Sequence, residues 1–228
     1  FKETKKIILK IFLFYSFLTA IMFILFNFSG IRLFNSLNLA MTVSSSGAFL
    51  PTNSLSDIIK LTSQEIVLSL SFIFSVLNIY FFYNFFSNFN NIKKHYEDII
   101  ILGGIFLFSL ILFFSIEGSS FLNIFLNVLS SASNSGISSY APPKNFYLLF
   151  IFLTIIGGSL ISNSSGIKFM RIYILFKSTI VELFKLATPN IIIDQKILNT
   201  EHKINNENLN SSFLIFICFF ISIFILSR

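Results

Sequence analysis

Two short polar strips between apolar stretches are the residues of this chain best suited to chemistry. The first reads TVSSSGAF, residues 42–49, and the second reads SSASNSGIS, residues 130–138. Their hydroxyl, amide and backbone carbonyl groups carry many oxygens and no formal charge, a composition that can replace the water shell of a cation. Glycine takes positive φ freely and lets several backbones approach one axis, so we expect Gly47 and Gly136 to lie at the tightest points.

The strips predict a filter made of backbone groups. Its candidate residues are Ser44, Ser45, Ser46, Gly47, Ser133, Asn134, Ser135 and Gly136. A single strip of this composition is more typical of a plain extracellular loop. The interpretation as two pore loops therefore depends on their arrangement in the chain.

Membrane spans must position these strips. The chain has 228 residues, of which 54% are hydrophobic and 11% are charged, whereas a soluble domain has about 25% charged residues. Apolar runs of near the ~20 residues that cross a bilayer cover residues 7–29, 65–87, 99–116, 146–161 and 211–226. The composition predicts an all-α integral membrane protein.

Charge placement predicts the orientation. The net charge is +6, and lysines cluster before the first run and after the second, at Lys5, Lys6, Lys93 and Lys94. The positive-inside rule then puts the N-terminus in the cytoplasm and both polar strips on the outer side. Because these lysines flank spans rather than line a polar face, we expect no nucleic-acid partner.

Cysteine and histidine are too scarce for several kinds of site. The one cysteine, Cys218, lies in an apolar run, and the two histidines, His95 and His202, lie in polar segments. A disulfide scaffold and a cysteine-rich metal site are excluded by this count. We expect neither an enzyme nor a bound cofactor.

The strips belong to a repeat. When LFNSLNLAMTVSSSGAF (33–49) is laid beside LNIFLNVLSSASNSGIS (122–138), Ser46 falls on Ser135 and Gly47 on Gly136. The apolar stretches 33–43 and 121–132 are too short to span and predict re-entrant half-helices. Their C-terminal carbonyl ends would favour a cation. The unit of span, half-helix, strip and span occurs twice in the same orientation, which favours pore loops.

The segment 146–180 predicts a broken helix. Gly157, Gly158, Ser164 and Gly166 mark an interruption, and Lys168 and Arg171 follow it. Short polar residues and glycine unwind a helix, and ionisable residues at membrane depth mark pathways. The alternative is that both cations snorkel to headgroups at the end of a span. Asn78, in another apolar run, would face a cavity or bond a neighbouring helix.

These residues resemble a known family. LFNSLNLAMTVSSSGAFLPTNS, then VLSSASNSGISSYAPP, then IGGSLISNSSGIKFMRIYILFK look like the TrkH-type potassium-uptake proteins of the Trk/Ktr/HKT superfamily. Members have four membrane–pore-loop–membrane repeats around one pore. The resemblance implies that this chain is the middle portion, covering repeats 2 and 3 and the start of 4, so that it is either a fragment of a longer protein or the product of a broken or split gene.

The resemblance also implies function. K⁺, or Na⁺, would be dehydrated at Gly47 and Gly136, and an intramembrane loop with Gly157, Gly158, Ser164, Gly166, Lys168 and Arg171 would gate the pore. The family implies a homodimer in the bacterial cytoplasmic (inner) membrane, surrounded by lipid. It also implies a nucleotide-binding, TrkA-like regulatory subunit facing the basic loop 181–210.

The predicted organisation has four parts. A first repeat covers 1–92, a second repeat with the gating loop covers 93–180, a cytoplasmic loop covers 181–210, and the first span of a further repeat covers 211–228. Two alternatives to cation uptake stay open: a secondary transporter of a small organic solute, and a non-conducting fragment of a transporter.

Overall fold

The computed structural model describes residues 2–52, 54–87, 95–116, 118–138, 144–187, 198 and 206–226. Within these ranges the regular structure is helical and contains no strand. The helices are α1 (Lys2–Phe28), α2 (Leu33–Ser45), α3 (Thr62–Val76), α4 (Ile79–Ser87), α5 (Tyr96–Ser115), α6 (Phe121–Ala132), α7 (Tyr147–Ile156), α8 (Phe169–Ala187) and α9 (Asn206–Leu226). Short 3₁₀ turns cover Leu55–Asp57 and Lys144–Phe146.

In the part of the chain that the structure describes, three helices are long and apolar enough to cross a membrane. These are the segments Ile8–Phe28 of α1, Tyr96–Ser115 of α5 and Glu207–Ile225 of α9. Only 11% of the first and 6% of the last is buried inside the chain, so their apolar side chains face outward, as lipid contact requires. The prediction of an all-α membrane protein is confirmed.

The two half-helices lie inside the helix packing. α2 packs against α1 and α3, and α6 packs against α5, α3 and α7. Leu39 and Val43 of α2, and Val128 and Leu129 of α6, are fully buried in one continuous core. Both half-helices end near the predicted residues, because each apolar stripe stops where its polar strip begins.

The second apolar run is not one span. α3 ends at Val76 and α4 begins at Ile79, where the sequence predicts an unbroken run over 65–87. Asn78 lies at this break: its side-chain Oδ1 accepts the Tyr80 N–H at 2.9 Å, and its own N–H donates to Asp98 Oδ1 of α5 at 2.8 Å. The Asn78 side chain therefore caps α4, and of its two predicted roles the bond to a neighbouring helix is present, through the backbone N–H.

The interruption predicted within 146–180 is present. α7 ends at Ile156, α8 begins at Phe169, and residues 157–168, called here the 157–168 loop, connect them. The loop begins and ends side by side, since the Ile167 N–H donates to the Ile155 carbonyl at 2.9 Å and the Phe169 N–H donates to the Gly158 carbonyl at 3.1 Å.

Candidate functional site

The first polar strip starts with a tight turn that ends α2. Ser46 has left-handed backbone geometry, with φ 51° and ψ 37°. The Ser46 N–H donates to the Val43 carbonyl at 3.3 Å, and the Gly47 N–H donates to the Thr42 carbonyl at 2.9 Å. This pair of bonds is the Schellman motif, which satisfies carbonyls that a helix end leaves unpaired.

The second strip ends α6 with the same motif. Asn134 has φ 58°, its N–H donates to the Ser131 carbonyl at 3.1 Å, and the Ser135 N–H donates to the Ser130 carbonyl at 3.1 Å. Asparagine is among the few residues besides glycine that tolerate this conformation. By backbone geometry, Asn134 is the counterpart of Ser46.

When the two strips are aligned by this backbone geometry, their correspondence differs by one residue from the alignment predicted from the sequence. Gly47 now corresponds to Ser135, and Ala48 corresponds to Gly136. Gly136 has φ +63°, but Gly47 lies outside the left-handed region. Positive φ, the property for which both glycines were expected at the tightest points, is therefore present at Gly136 and absent at Gly47. In the first strip, Ser46 has positive φ as the counterpart of Asn134.

The two strips meet. A Cβ built on Gly136 would lie 3.4 Å from the Cβ of Ala48, so the counterparts in the corrected register are also neighbours in space. Among the described residues, the backbone carbonyl groups of Ser46, Gly47, Ser135 and Gly136 accept no hydrogen bond. The strips thus meet at Ala48 and Gly136, and each carries backbone carbonyl oxygens that accept no hydrogen bond from a described residue. Neutral oxygens of this kind can replace the water shell of a cation.

The serine side chains of the strips support the backbone. The Ser44 hydroxyl donates to the Met41 carbonyl at 3.0 Å and the Ser45 hydroxyl to the Thr42 carbonyl at 3.4 Å. Ser133 and Ser135 are fully buried, and their hydroxyl groups lie 3.0 Å apart. Because these hydroxyls bond inward, an ion at the strips would meet backbone oxygens.

The 157–168 loop lies against both strips. The Ser46 hydroxyl donates to the Asn163 carbonyl at 3.0 Å. A Cβ built on Gly166 would lie 3.0 Å from Asn134 Nδ2, so the second strip touches the other end of the loop. The side-chain Nδ2 atoms of Asn134 and Asn163 are buried without a hydrogen-bond partner among the described residues.

The loop also pairs with the break between α3 and α4. The Asn163 and Ser164 N–H groups donate to the Ser75 carbonyl at 3.1 and 3.2 Å. In the same way the Ser159 N–H donates to the Val76 carbonyl at 3.0 Å, and the Ile79 N–H to the Ile161 carbonyl, also at 3.0 Å. Two helix interruptions thereby satisfy each other's backbone groups, as irregular backbone at membrane depth must.

Three glycines in the loop allow this close packing. A Cβ on Gly157 (φ +64°) would collide with the Ser165 carbonyl, and one on Gly166 (φ +87°) would lie 2.8 Å from the Thr154 carbonyl. A Cβ on Gly158 would collide with the Val76 carbonyl and lie 2.5 Å from Ser164 Oγ. The buried Ser164 hydroxyl accepts the Gly158 N–H at 2.8 Å.

The two predicted cations occupy different environments. Lys168 Nζ donates to the Ser162 carbonyl and hydroxyl, each at 3.1 Å, and to the Ser164 carbonyl. Arg171 lies on the first turn of α8 and is partly buried; within the described part of the chain its guanidinium makes no hydrogen bond or ion pair. Lys168 therefore folds back onto its own loop rather than snorkelling.

Two acidic residues that the sequence analysis did not select complete this region. Glu97 and Asp98 are buried on the first turn of α5. Glu97 Oε1 accepts the Leu160 N–H of the loop at 2.9 Å, and Asp98 accepts the Asn78 N–H and lies 3.4 Å from His95. The sequence signal that could have identified them is a pair of adjacent carboxylates directly before the apolar run 99–116.

Comparison with known proteins identifies the fold. The chain matches the crystal structure of the potassium transporter TrkH from Vibrio parahaemolyticus with a TM-score of 0.80 and 19% sequence identity. It shares the fold of that transporter. The match covers 99% of this chain and 50% of TrkH, so the chain spans about half the length of that protein. No protein-family model and no curated protein matches the sequence.

Proposed function

We propose that this chain forms part of a pathway for K⁺, or another monovalent cation, across the bacterial cytoplasmic (inner) membrane. The observation that carries the proposal is the junction of the two strips, where Ala48 meets Gly136 and each strip has carbonyl oxygens that accept no hydrogen bond from a described residue. Its support from comparison is the fold that the chain shares with a potassium transporter.

Selective dehydration is the proposed mechanism. A cation loses its water shell to the carbonyl groups of the two strips, with K⁺ placed at Gly47 and Gly136. The negative ends of the α2 and α6 dipoles favour a cation there. Neutral oxygens suit this task, because conduction requires binding that is favourable enough for the ion to enter and weak enough for it to leave.

The 157–168 loop is the proposed gate. It touches both strips, through Asn163 and Gly166, and it brings positive charge next to the pathway at Lys168 and Arg171. Gly157, Gly158 and Ser164 hold the loop in its folded arrangement. A shift of the loop would move Lys168 relative to Arg171, which lies on the first turn of α8, and so change the barrier to a cation.

The proposed assembly follows from the repeat. Residues 1–92 and 93–180 would be two repeats, with the boundary between them outside the described residues. They correspond to repeats 2 and 3, and 211–228 opens the fourth. A filter of four strips then requires either a longer chain or a homodimer. The N-terminus would be cytoplasmic. A nucleotide-binding regulatory subunit would face 181–210, most of which lies outside the described residues.

Uptake of ⁸⁶Rb⁺ into liposomes containing the chain tests the proposal. Gly136→Asp places a carboxylate and a strained backbone at the strip, so we expect uptake to fall to background. Gly30→Asp is the matched control, because Gly30 also has positive φ (+85°) but no heavy atom within 4 Å of its Cβ position. Equal uptake by Gly136→Asp and the wild type contradicts the proposal. Saturable exchange of an organic solute would favour a secondary transporter instead.

A further inference from the structure

The start of α5 connects the two helix interruptions. Glu97 accepts the Leu160 N–H at 2.9 Å, and the adjacent Asp98 accepts the Asn78 N–H at 2.8 Å. One of these amides belongs to the 157–168 loop and the other to the α3–α4 break. Two neighbouring carboxylates therefore join segments that are distant in sequence.

Both carboxylates are buried. Asp98 is 1% exposed and Glu97 is 9% exposed, and charge-assisted hydrogen bonds are about twice as strong as neutral ones. Buried carboxylates are costly unless they are paired. Asp98 has a polar partner in His95, at the start of the same helix, where the imidazole Nδ1 lies 3.4 Å from Asp98 Oδ2.

Glu97 and Lys168 both contact the 157–168 loop. Glu97 accepts the Leu160 N–H, and Lys168 Nζ donates to the Ser162 and Ser164 carbonyl groups. Among the described residues the two side chains form no ion pair within 4.0 Å, so any attraction between them acts at longer range.

We propose that Glu97 is a positioning residue that latches the 157–168 loop. Its carboxylate holds the loop backbone at Leu160 and attracts Lys168 of the same loop at longer range, while Asp98 anchors the same helix turn to the α3–α4 break. The latch deepens the proposed function, since it names what holds the gate in this arrangement. It does not depend on which ion passes.

Amide hydrogen exchange of the reconstituted full chain, followed by mass spectrometry, tests the latch. In Glu97→Gln we expect peptides from 157–168 to exchange about tenfold faster, the factor that corresponds to ~1.4 kcal/mol. Peptides from α2 and α6 should exchange at the wild-type rate, because their bonds do not involve Glu97. Glu182→Gln is the control, since Glu182 is an exposed carboxylate on α8.

A double-mutant cycle tests the coupling to Lys168. We expect Lys168→Met to accelerate hydrogen exchange of the loop as well. In Glu97→Gln/Lys168→Met the acceleration should be smaller than the product of the two single accelerations, because the double variant removes both interacting charges. Glu97→Asp should restore part of the protection. Loop exchange at the wild-type rate in Glu97→Gln, or multiplicative single effects, would overturn the proposal.

A second readout covers the case in which Glu97→Gln loosens the whole chain. Ile167 is fully buried in the loop, and the one cysteine, Cys218, is exposed. Ile167→Cys in a Cys218→Ser chain should react with a methanethiosulfonate reagent about tenfold faster when Glu97→Gln is added. An unchanged reaction rate contradicts the latch. Neither readout measures ion flux. If both readouts change as expected but the chain shows no ⁸⁶Rb⁺ uptake, the result contradicts the proposed function and not the latch.

Discussion

Gly158→Ala directly perturbs the contact between the two helix interruptions. The added methyl group would collide with the Val76 carbonyl and lie 2.5 Å from Ser164 Oγ and 2.9 Å from Ser162 Oγ. Neither neighbour has room to move, because the Val76 carbonyl is backbone and Ser164 is 3% exposed. The loop must therefore separate from the α3–α4 break.

The cost follows from the bonds that this separation breaks. The Gly158 N–H to Ser164 Oγ bond at 2.8 Å and the Ser159 N–H to Val76 carbonyl bond at 3.0 Å are both buried. An unsatisfied buried polar group costs ~1–3 kcal/mol, so two such bonds amount to about 3 kcal/mol. For a chain of this size, ~1 kcal/mol shifts the Tm by about 2–4 °C. We expect the Tm of Gly158→Ala to fall by about 6–12 °C.

Circular dichroism at the helix signal, recorded during heating in detergent, measures this change. Gly103→Ala and Gly104→Ala are the matched controls, since nothing lies within 4 Å of a Cβ at either position in α5. Alanine favours a helix over glycine by ~1 kcal/mol, so both controls should melt at or above the wild-type Tm. A Gly158→Ala protein with the same Tm as the controls would refute the tight packing of the 157–168 loop against the α3–α4 break.

Three further predictions follow from the site. Asn78→Ala removes the cap of α4 and should lower the Tm by about 2–4 °C, from ~1 kcal/mol for a lost cap; an unchanged Tm would show that the break does not need the cap. Ser46→Ala removes the hydroxyl that reaches Asn163, and faster hydrogen exchange of the 157–168 loop should result, whereas unchanged exchange would separate the strip from the loop. Gly47→Ala should keep more ⁸⁶Rb⁺ uptake than Gly136→Ala, because of these two glycines only Gly136 has positive φ. Higher uptake by Gly136→Ala than by Gly47→Ala would instead support the alignment of Gly47 with Gly136 that the sequence predicted.

Much of the architecture could be predicted from the sequence because its signals are local. The apolar runs predict α1, α5 and α9, and the short amphipathic stretches predict the half-helices α2 and α6, which end within a few residues of the expected positions. The density of glycine and serine between Ile156 and Lys168 predicts the loop, since each such residue weakens a helix where it stands.

The break at Asn78 was not predictable in the same way. Its neighbours are apolar, and one asparagine in an apolar run does not interrupt a helix by itself. The helix breaks because the Ser159 and Ser164 N–H groups of a loop distant in sequence arrive to satisfy the Val76 and Ser75 carbonyls. That compensation exists only once the two segments are side by side.

By itself, the sequence determined the spans, the half-helices and the position of the polar strips, because hydrophobic length and backbone propensity act over a few residues. Tertiary structure alone decided that Ala48, rather than Gly47, stands opposite Gly136, because helix-end geometry sets the register more strictly than matching letters do. It also decided that Glu97 reaches Leu160. Backbone groups at a helix interruption need partners, and packing determines which partners the groups of the loop and of the α3–α4 break find.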